Sequence, residues 1–286
     1  MAETLPLLAV HPHLYDDYSE EKHFEPRPHD HKIDEAKDTL SQIFHQAQES
    51  VFYGRQLEVL LEDSFFHWIT TRALSELVAQ GKIKTEILPL KTGISIRIYW
   101  SPSLRYWKRA ANKVKTLVEE HSRPEFAEAL GVHCEMMFDA ALPTVGFFPK
   151  GRNVREFGGK QWTQTGHNLD RVFERDGIAY GTEIKNTLDY ISWEELTTKI
   201  NMCHHLSLRP LFILRHAPKN YIQHVRLNGG FTLIFKWQLY PLGYLPLAKR
   251  SRAELGLPVD CPKSINQGTV ERFLEWHLNH LTKETN

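Results

Sequence analysis

Hydrophobic positions along this chain switch between helical and strand periods, and the switches mark its elements. Apolar residues recur at helical spacing over residues 33–50 (Ile33, Ala36, Leu40, Ile43, Phe44, Ala47), which predicts an amphipathic helix. A short helix is expected over 56–61, then a longer one from an N-cap at Ser64 to Ala79, stopped by Gly81. Alternation over 83–88 and 94–100, interrupted by Lys91-Thr92-Gly93, predicts a hairpin. Helix, helix and hairpin in this order resemble a winged helix, whose wing would carry Lys82, Lys84 and Lys91 toward a phosphate backbone. A helix over 101–122 follows, with Arg105, Lys108, Arg109, Lys113 and Lys115 on a face of the kind that water solvates. Pro124 opens a more apolar helix containing Glu128, Glu135 and Asp139.

Residues 143–167 show neither period. Lys150, Arg152, Arg155 and Lys160 are interleaved there with Phe147, Phe148, Phe157 and Trp162, so a long loop is expected, with 150–162 as a candidate for contacting substrate. Strand-like runs flank Asp176-Gly177, a strong signal for a two-residue hairpin turn. Ser192, with Glu195 three residues on, announces a capping box and a helix whose Leu196, Ile200 and Cys203 share one side. A strand over 210–216, mixed strands and turns over 225–265 with Lys236, Lys249, Arg250 and Arg252, and an amphipathic helix over 268–281 complete the chain.

Composition narrows the class. With 286 residues, 41% hydrophobic and 24% charged, the chain has the makeup of a globular α/β protein rather than a disordered or fibrous one. No apolar run approaches the roughly 18 residues of a membrane span, and the N-terminus lacks a secretion signal, so a cytoplasmic protein with no membrane partner is expected. Cys134, Cys203 and Cys261 are too few and too scattered for a disulfide framework, and reduced, buried thiols are expected. Consecutive Cys203-His204-His205 diverge around a helix and make no zinc site.

The net charge of zero conceals an asymmetry: residues 1–50 carry a balance of −7 and the remainder +7. The acidic part includes residues 1–32, an irregular, solvated arm with His11, His13, His23, His29 and His31. The basic body tolerates a polyanionic partner. Three regions are therefore expected: the arm at 1–32, a helical and winged-helix-like module at 33–122, and a larger domain at 123–286.

The chemistry lies in that last region. A two-residue turn at Asp176-Gly177 pairs Arg175 with Ile178 and sets Asp170 opposite Glu183, with Cβ atoms about 5 Å apart. Period two places Gly181, Glu183 and Lys185 on one strand face, with Gly181 expected to leave space beside the acidic pair. Facing carboxylates repel unless a cation sits between them, and oxygen ligands suit Mg²⁺ or Mn²⁺. An ammonium one pleat away can hold a phosphate oxygen or a water. Of three Glu-x-Lys tripeptides, Glu20-Glu21-Lys22 and Glu35-Ala36-Lys37 lack a strand, and only Glu183-Ile184-Lys185 has an aspartate opposite.

These residues resemble the PD-(D/E)XK nuclease superfamily, shared by many restriction endonucleases, Mrr-like enzymes and archaeal Holliday-junction resolvases. The likeness spans about residues 124–216 and departs from the name pattern only in Leu169, which stands where a proline often precedes the aspartate. It implies a restriction-endonuclease-like mixed central sheet flanked by helices, and Mg²⁺-dependent hydrolysis of DNA, double-stranded by expectation, with Mn²⁺ able to substitute. It also implies metal at Asp170 and Glu183, and Lys185 assisting the attacking water. Glu135 matches a glutamate that the preceding helix often contributes as a further ligand, with Glu128 and Asp139 as competitors. Lys199 matches a further active-site residue on the following helix, and Asn201 is a weaker match. Sequence-specific cutting or junction resolution would call for a homodimer. The rival expectation is a DNA-binding regulatory protein that uses the winged helix and keeps the nuclease-like domain as a scaffold. A second rival keeps the nuclease and changes its substrate to branched DNA or RNA.

Overall fold

A computed structural model describes residues 30–284, and most of the histidine-rich arm lies outside them. The described residues form two compact units, 30–127 with a short return at 253–257, and 128–252 with 258–284. The return is not foreshadowed by any sequence pattern.

The first unit opens with α1 (His31–Gln46), whose Asp30 N-cap accepts the Lys32 N–H at 2.9 Å, so the helix begins inside the segment expected to be irregular. Ile33, Ala36, Leu40 and Phe44 form its buried stripe, with Ile43 and Ala47 at the rim. Strand β1 (Val51–Tyr53), too short for any period to reveal, leads into α2 (Gly54–Leu61) and α3 (His67–Ala79). Ser64 does not cap α3: its N–H closes the turn on Leu61 at the end of α2, and the helix starts only after Phe66. Strands β2 (Lys84–Pro89) and β3 (Ser95–Trp100) form the expected hairpin, and β1 pairs antiparallel with β3 to give the order β1-β3-β2. Helix α4 (Trp107–His121) buries Ala111, Val114, Leu117 and Val118.

Apart from residues 124–127 and 253–255, which fall in the first unit, the second unit contains α5 (Pro124–Ala141), β4 (Phe148–Val154), the small hairpin β5 (Glu156–Phe157) and β6 (Lys160–Gln161), β7 (Leu169–Arg175), β8 (Ile178–Lys185) and α6 (Trp193–His205). After these come β9 (Arg209–Leu214), α7 (Lys219–Leu227), β10 (Phe231–Ile234), β11 (Gln238–Leu239), α8 (Leu245–Leu255), β12 (Val259–Asp260) and α9 (Gln267–Glu284). Its centre is a mixed five-stranded sheet, β10-β9-β8-β7-β4, antiparallel from β4 to β8 and parallel from β8 to β10. One face packs Phe138, Phe147, Phe173, Tyr180, Leu211 and Phe273 against α5 and α9. The other packs Leu169, Val172, Cys203 and Leu208, with Leu196, Ile200 and Phe212, beneath α6 and α7. The mixed α/β architecture expected from the sequence is thus present, and among the described residues no helix is long and apolar enough to cross a membrane.

The long loop expected over 143–167 is corrected. Residues 148–154 form an edge strand whose mostly exposed positions and bulge between Pro149 and Gly151 erase the alternating pattern. The bases of this stretch are engaged: Lys150 with Glu174, Arg152 with Asp139, Arg155 with the Thr165 carbonyl and Lys160 with Ser207. Trp162 is buried rather than presented to a substrate.

Candidate functional site

The register of the β7–β8 hairpin positions the site. Asp176 and Gly177 both adopt positive φ, 52° and 74°, which a type I′ turn requires. The ladder then runs from Arg175↔Ile178 to Arg171↔Thr182 as the sequence predicts. At the next position β7 yields no further pair. The Asp170 side chain fills in instead, Oδ2 accepting the Ile184 N–H at 2.7 Å, so the half-buried carboxylate is turned onto β8 beside Glu183.

On β8, Gly181, Glu183 and Lys185 share the face covered by α6, and they meet Cys203, Lys199 and Glu195 in turn. Two residues of strand rise nearly 7 Å and four residues of helix rise 6 Å, so an α6 stripe at spacing four stays in step with alternate positions of β8. The Lys199 ammonium contacts one oxygen of Glu183 and the Asn168 carbonyl. Lys185 Nζ lies 2.9 Å from the other Glu183 oxygen and 2.8 Å from Glu195. A chain of alternating charge, Glu195–Lys185–Glu183–Lys199, thus runs alongside Asp170. Exposure divides its members: the side chains of Glu183 and Lys199 are 1% and 4% exposed, whereas Lys185 is 28% exposed. Lys185 therefore stands at the accessible edge of the cluster with the half-buried Asp170 beside it, while Lys199 lies behind Glu183.

Electrostatics follow from this layout. Burial and the neighbouring Glu183 charge push the Asp170 carboxyl up to about 7, against the opposing pull of Lys199 and Lys185. Burial alone would lower Lys185, but Glu183, Glu195 and Asp170 outweigh it and hold the ammonium above its ordinary range. Burial likewise works to raise Glu195, and Lys185 reverses it, so Glu195 stays ionised well below neutrality. Burial pushes the Cys134 and Cys203 thiols up, which removes both as nucleophiles near neutral pH.

The structure brings Asp170, Glu183, Lys185 and Lys199 together, and Glu135 is not among them. Glu135 lies 2.7 Å from the buried Arg171 guanidinium, which also binds Asp139 at 2.9 Å. Both competitors for the helix carboxylate are thereby accounted for, since Glu128 is exposed. Asn201, the weaker match on α6, is exposed. His204 and His205 bond to different carbonyls, of Asn228 and Gln161, as expected for consecutive helix positions. Glu195 is the residue sequence reasoning missed as part of the cluster. Ser192 does cap α6, accepting the Glu195 N–H at 3.1 Å, but the Glu195 carboxylate goes to Lys185 rather than back to the cap. Its position four residues before Lys199, itself four before Cys203, is the signal that would have identified it.

Gly181 also departs from expectation, because α6 fills the space it was expected to leave open. A Cβ there would stand 2.6 Å from Cys203 Sγ and 2.7 Å from Leu169 Cδ1. Gly181→Ala is therefore expected to cost about 1–3 kcal/mol in urea unfolding by overpacking. A neutral result would show that α6 does not press on β8 at this point.

A half-buried carboxylate, Asp170, beside a buried one, Glu183, is a donor pair that suits Mg²⁺, which commonly binds one or two acidic side chains and keeps waters on its remaining positions. Three carboxylates against two ammonium groups leave one negative charge in excess when all are ionised. Among the described residues no three His, Cys, Asp or Glu side chains form a ready metal cage. The donor set at hand is thus Asp170 with Glu183. Comparison of the chain with protein-family models, curated proteins and solved structures finds no match.

The raised Asp170 carboxyl has a measurable consequence. Its contribution to stability is complete below its ordinary value of 3.8 and is lost as pH rises through about 7. In metal-free buffer, Asp170→Asn should therefore gain stability relative to the wild type between pH 5 and pH 8, by on the order of 1 kcal/mol. Urea unfolding of both proteins at the two pH values measures this, and a difference independent of pH would contradict it.

Proposed function

We propose that the second unit is a divalent-metal-dependent nuclease of the PD-(D/E)XK superfamily that hydrolyses DNA phosphodiester bonds. The observation that carries it is the convergence of Asp170 and Glu183, from adjacent strands, beside a solvent-accessible Lys185. Asp170 and Glu183 would hold Mg²⁺ or Mn²⁺, which when bound supplies Lewis-acid polarisation of a phosphoryl oxygen. Lys185 offers an ammionium donor at the open side of the cluster, where it can orient a water or neutralise charge developing on a phosphate oxygen. Glu195 fixes that ammonium, and Lys199 fixes the Glu183 carboxylate. Lys185 is then a catalytic residue, and Lys199 and Glu195 are positioning residues.

One observation favours the rival class. Lys185 and Lys199 already satisfy Glu183, an ion-pair network complete without a metal, as a non-catalytic scaffold would have. In that reading the first unit, winged-helix-like in its order of helices and its β1-β3-β2 sheet, binds DNA and regulates.

Cleavage decides between them. A labelled panel of supercoiled plasmid, linear duplex, single strand, four-way junction and RNA is incubated with Mg²⁺ or Mn²⁺. Metal-dependent products support the nuclease and identify its preferred substrate. DNA binding without cleavage of any member supports the regulatory scaffold. Light scattering on the active species then tests the homodimer.

A further inference from the structure

A surface of the first unit has no part in the catalytic cluster. From Ser101 to Val118 the chain carries Arg105, Lys108, Arg109, Lys113 and Lys115 and no acidic residue. Lys115 lies 3.9 Å from Glu119. Among the described residues Arg105, Lys108, Arg109 and Lys113 have no ion pair, and all four are exposed. Arg109 and Lys113 stand four residues apart on α4, with Lys108 beside them, opposite the buried face of Ala111, Val114 and Leu117. Like charges on neighbouring turns repel, and no carboxylate relieves them.

An aromatic ring adjoins these cations. Trp107 stacks on Trp100 at 4.3 Å with 19° between the planes, which fixes the start of α4 to the end of β3. The residue just before it, Tyr106, is left 86% exposed, the highest exposure of any large hydrophobic side chain among the described residues. Burial cannot explain a ring held in solvent on a rigid base between Arg105 and Lys108. Sequence-tolerant recognition of nucleic-acid strands uses this combination, cations along the backbone and an aromatic face for a base.

We propose that this surface binds a nucleic-acid strand, with Arg105, Lys108, Arg109 and Lys113 on its phosphates and Tyr106 stacked on an unpaired base. The partner is single-stranded or locally unpaired nucleic acid. The inference goes beyond the nuclease reading, since no residue of the Asp170–Glu183 cluster takes part.

Fluorescence anisotropy of the full chain with a labelled single strand of about 16 nucleotides, and with a duplex of equal length, tests it across a salt series in EDTA, where metal-dependent cleavage cannot intervene. The variant K108Q/R109Q/K113Q, altered only at exposed positions, should match the wild-type melting curve and bind about 10–100-fold more weakly at low salt. Its log–log salt slope for the single strand should fall by about two, from the loss of three phosphate contacts. Tyr106→Ala should weaken single-strand binding more than duplex binding and leave the salt slope unchanged. Wild-type affinity and slope in the triple variant would overturn the proposal, as would equal losses on both probes in Tyr106→Ala. The two readings fail separately: binding that persists in a protein unable to cleave leaves this surface standing, and intact cleavage with unaltered binding in the triple variant removes it alone.

Discussion

Replacing Lys185 by alanine is expected to slow Mg²⁺-dependent cleavage by about 10²–10³-fold, the loss typical of removing one preorganised donor from a site where charge develops. The exposed edge of the cluster then lacks a cation, while Glu183 keeps its contact with Lys199 and the pair proposed to hold the metal is intact. The rate of the chemical step should fall much more than metal affinity does. Single-turnover cleavage at saturating Mg²⁺ measures it, with near-UV circular dichroism as the folding control. Lys185→Arg, which keeps the charge, should recover part of the rate. Retention of more than about a tenth of the wild-type rate in Lys185→Ala would remove the catalytic assignment.

Lys199 should behave differently, because its ammonium is buried behind Glu183. Lys199→Met is expected to lower unfolding free energy by about 3–5 kcal/mol, the cost of leaving a buried carboxylate without its buried partner. Glu183, 1% exposed, keeps Lys185 as its cationic neighbour but loses the buried one, and the Asn168 carbonyl loses its Lys199 donor as well. The double variant Glu183→Gln/Lys199→Met should be more stable than Lys199→Met alone, since the orphaned charge is gone. Urea unfolding of the two single variants and the double variant forms the cycle. Lys199→Met should also weaken Mn²⁺ binding, which a purely structural lysine would not affect, and Lys199→Arg should restore part of it. A loss below about 1 kcal/mol, with additive single effects, would show that Lys199 does not hold Glu183 in place.

Much of this site was legible because two local rules constrain it tightly. Asp176-Gly177 admits few turns, and once the turn is set the period of two assigns Gly181, Glu183 and Lys185 to one face without further information. Lys199 was expected only through the resemblance to the nuclease superfamily, and the structure sets it against Glu183. Other features depend on partners distant in sequence. Gly181 makes room for α6, which only the packing of helix on strand reveals. Glu195 matched a capping box so well that its reach to Lys185 was hidden behind a local explanation. Glu135 fits a helix carboxylate by order in the chain, yet the buried Arg171 of β7 takes it. In the fold, β1 is too short to show a period, and β4, a polar edge strand with a bulge, looked like a loop for the same reason that its side chains are exposed.

Asp170 and Glu183 are proposed to hold a divalent ion between them. Anomalous diffraction from crystals soaked in Mn²⁺ tests it most directly. The expected result is a single strong peak, or two close together, at about 2.0–2.3 Å from oxygens of both carboxylates, with Lys185 still at the rim of the cluster. Absence of a peak there, with Glu183 still clamped between Lys185 and Lys199, would overturn the metal assignment and leave the ion-pair network as a structural scaffold.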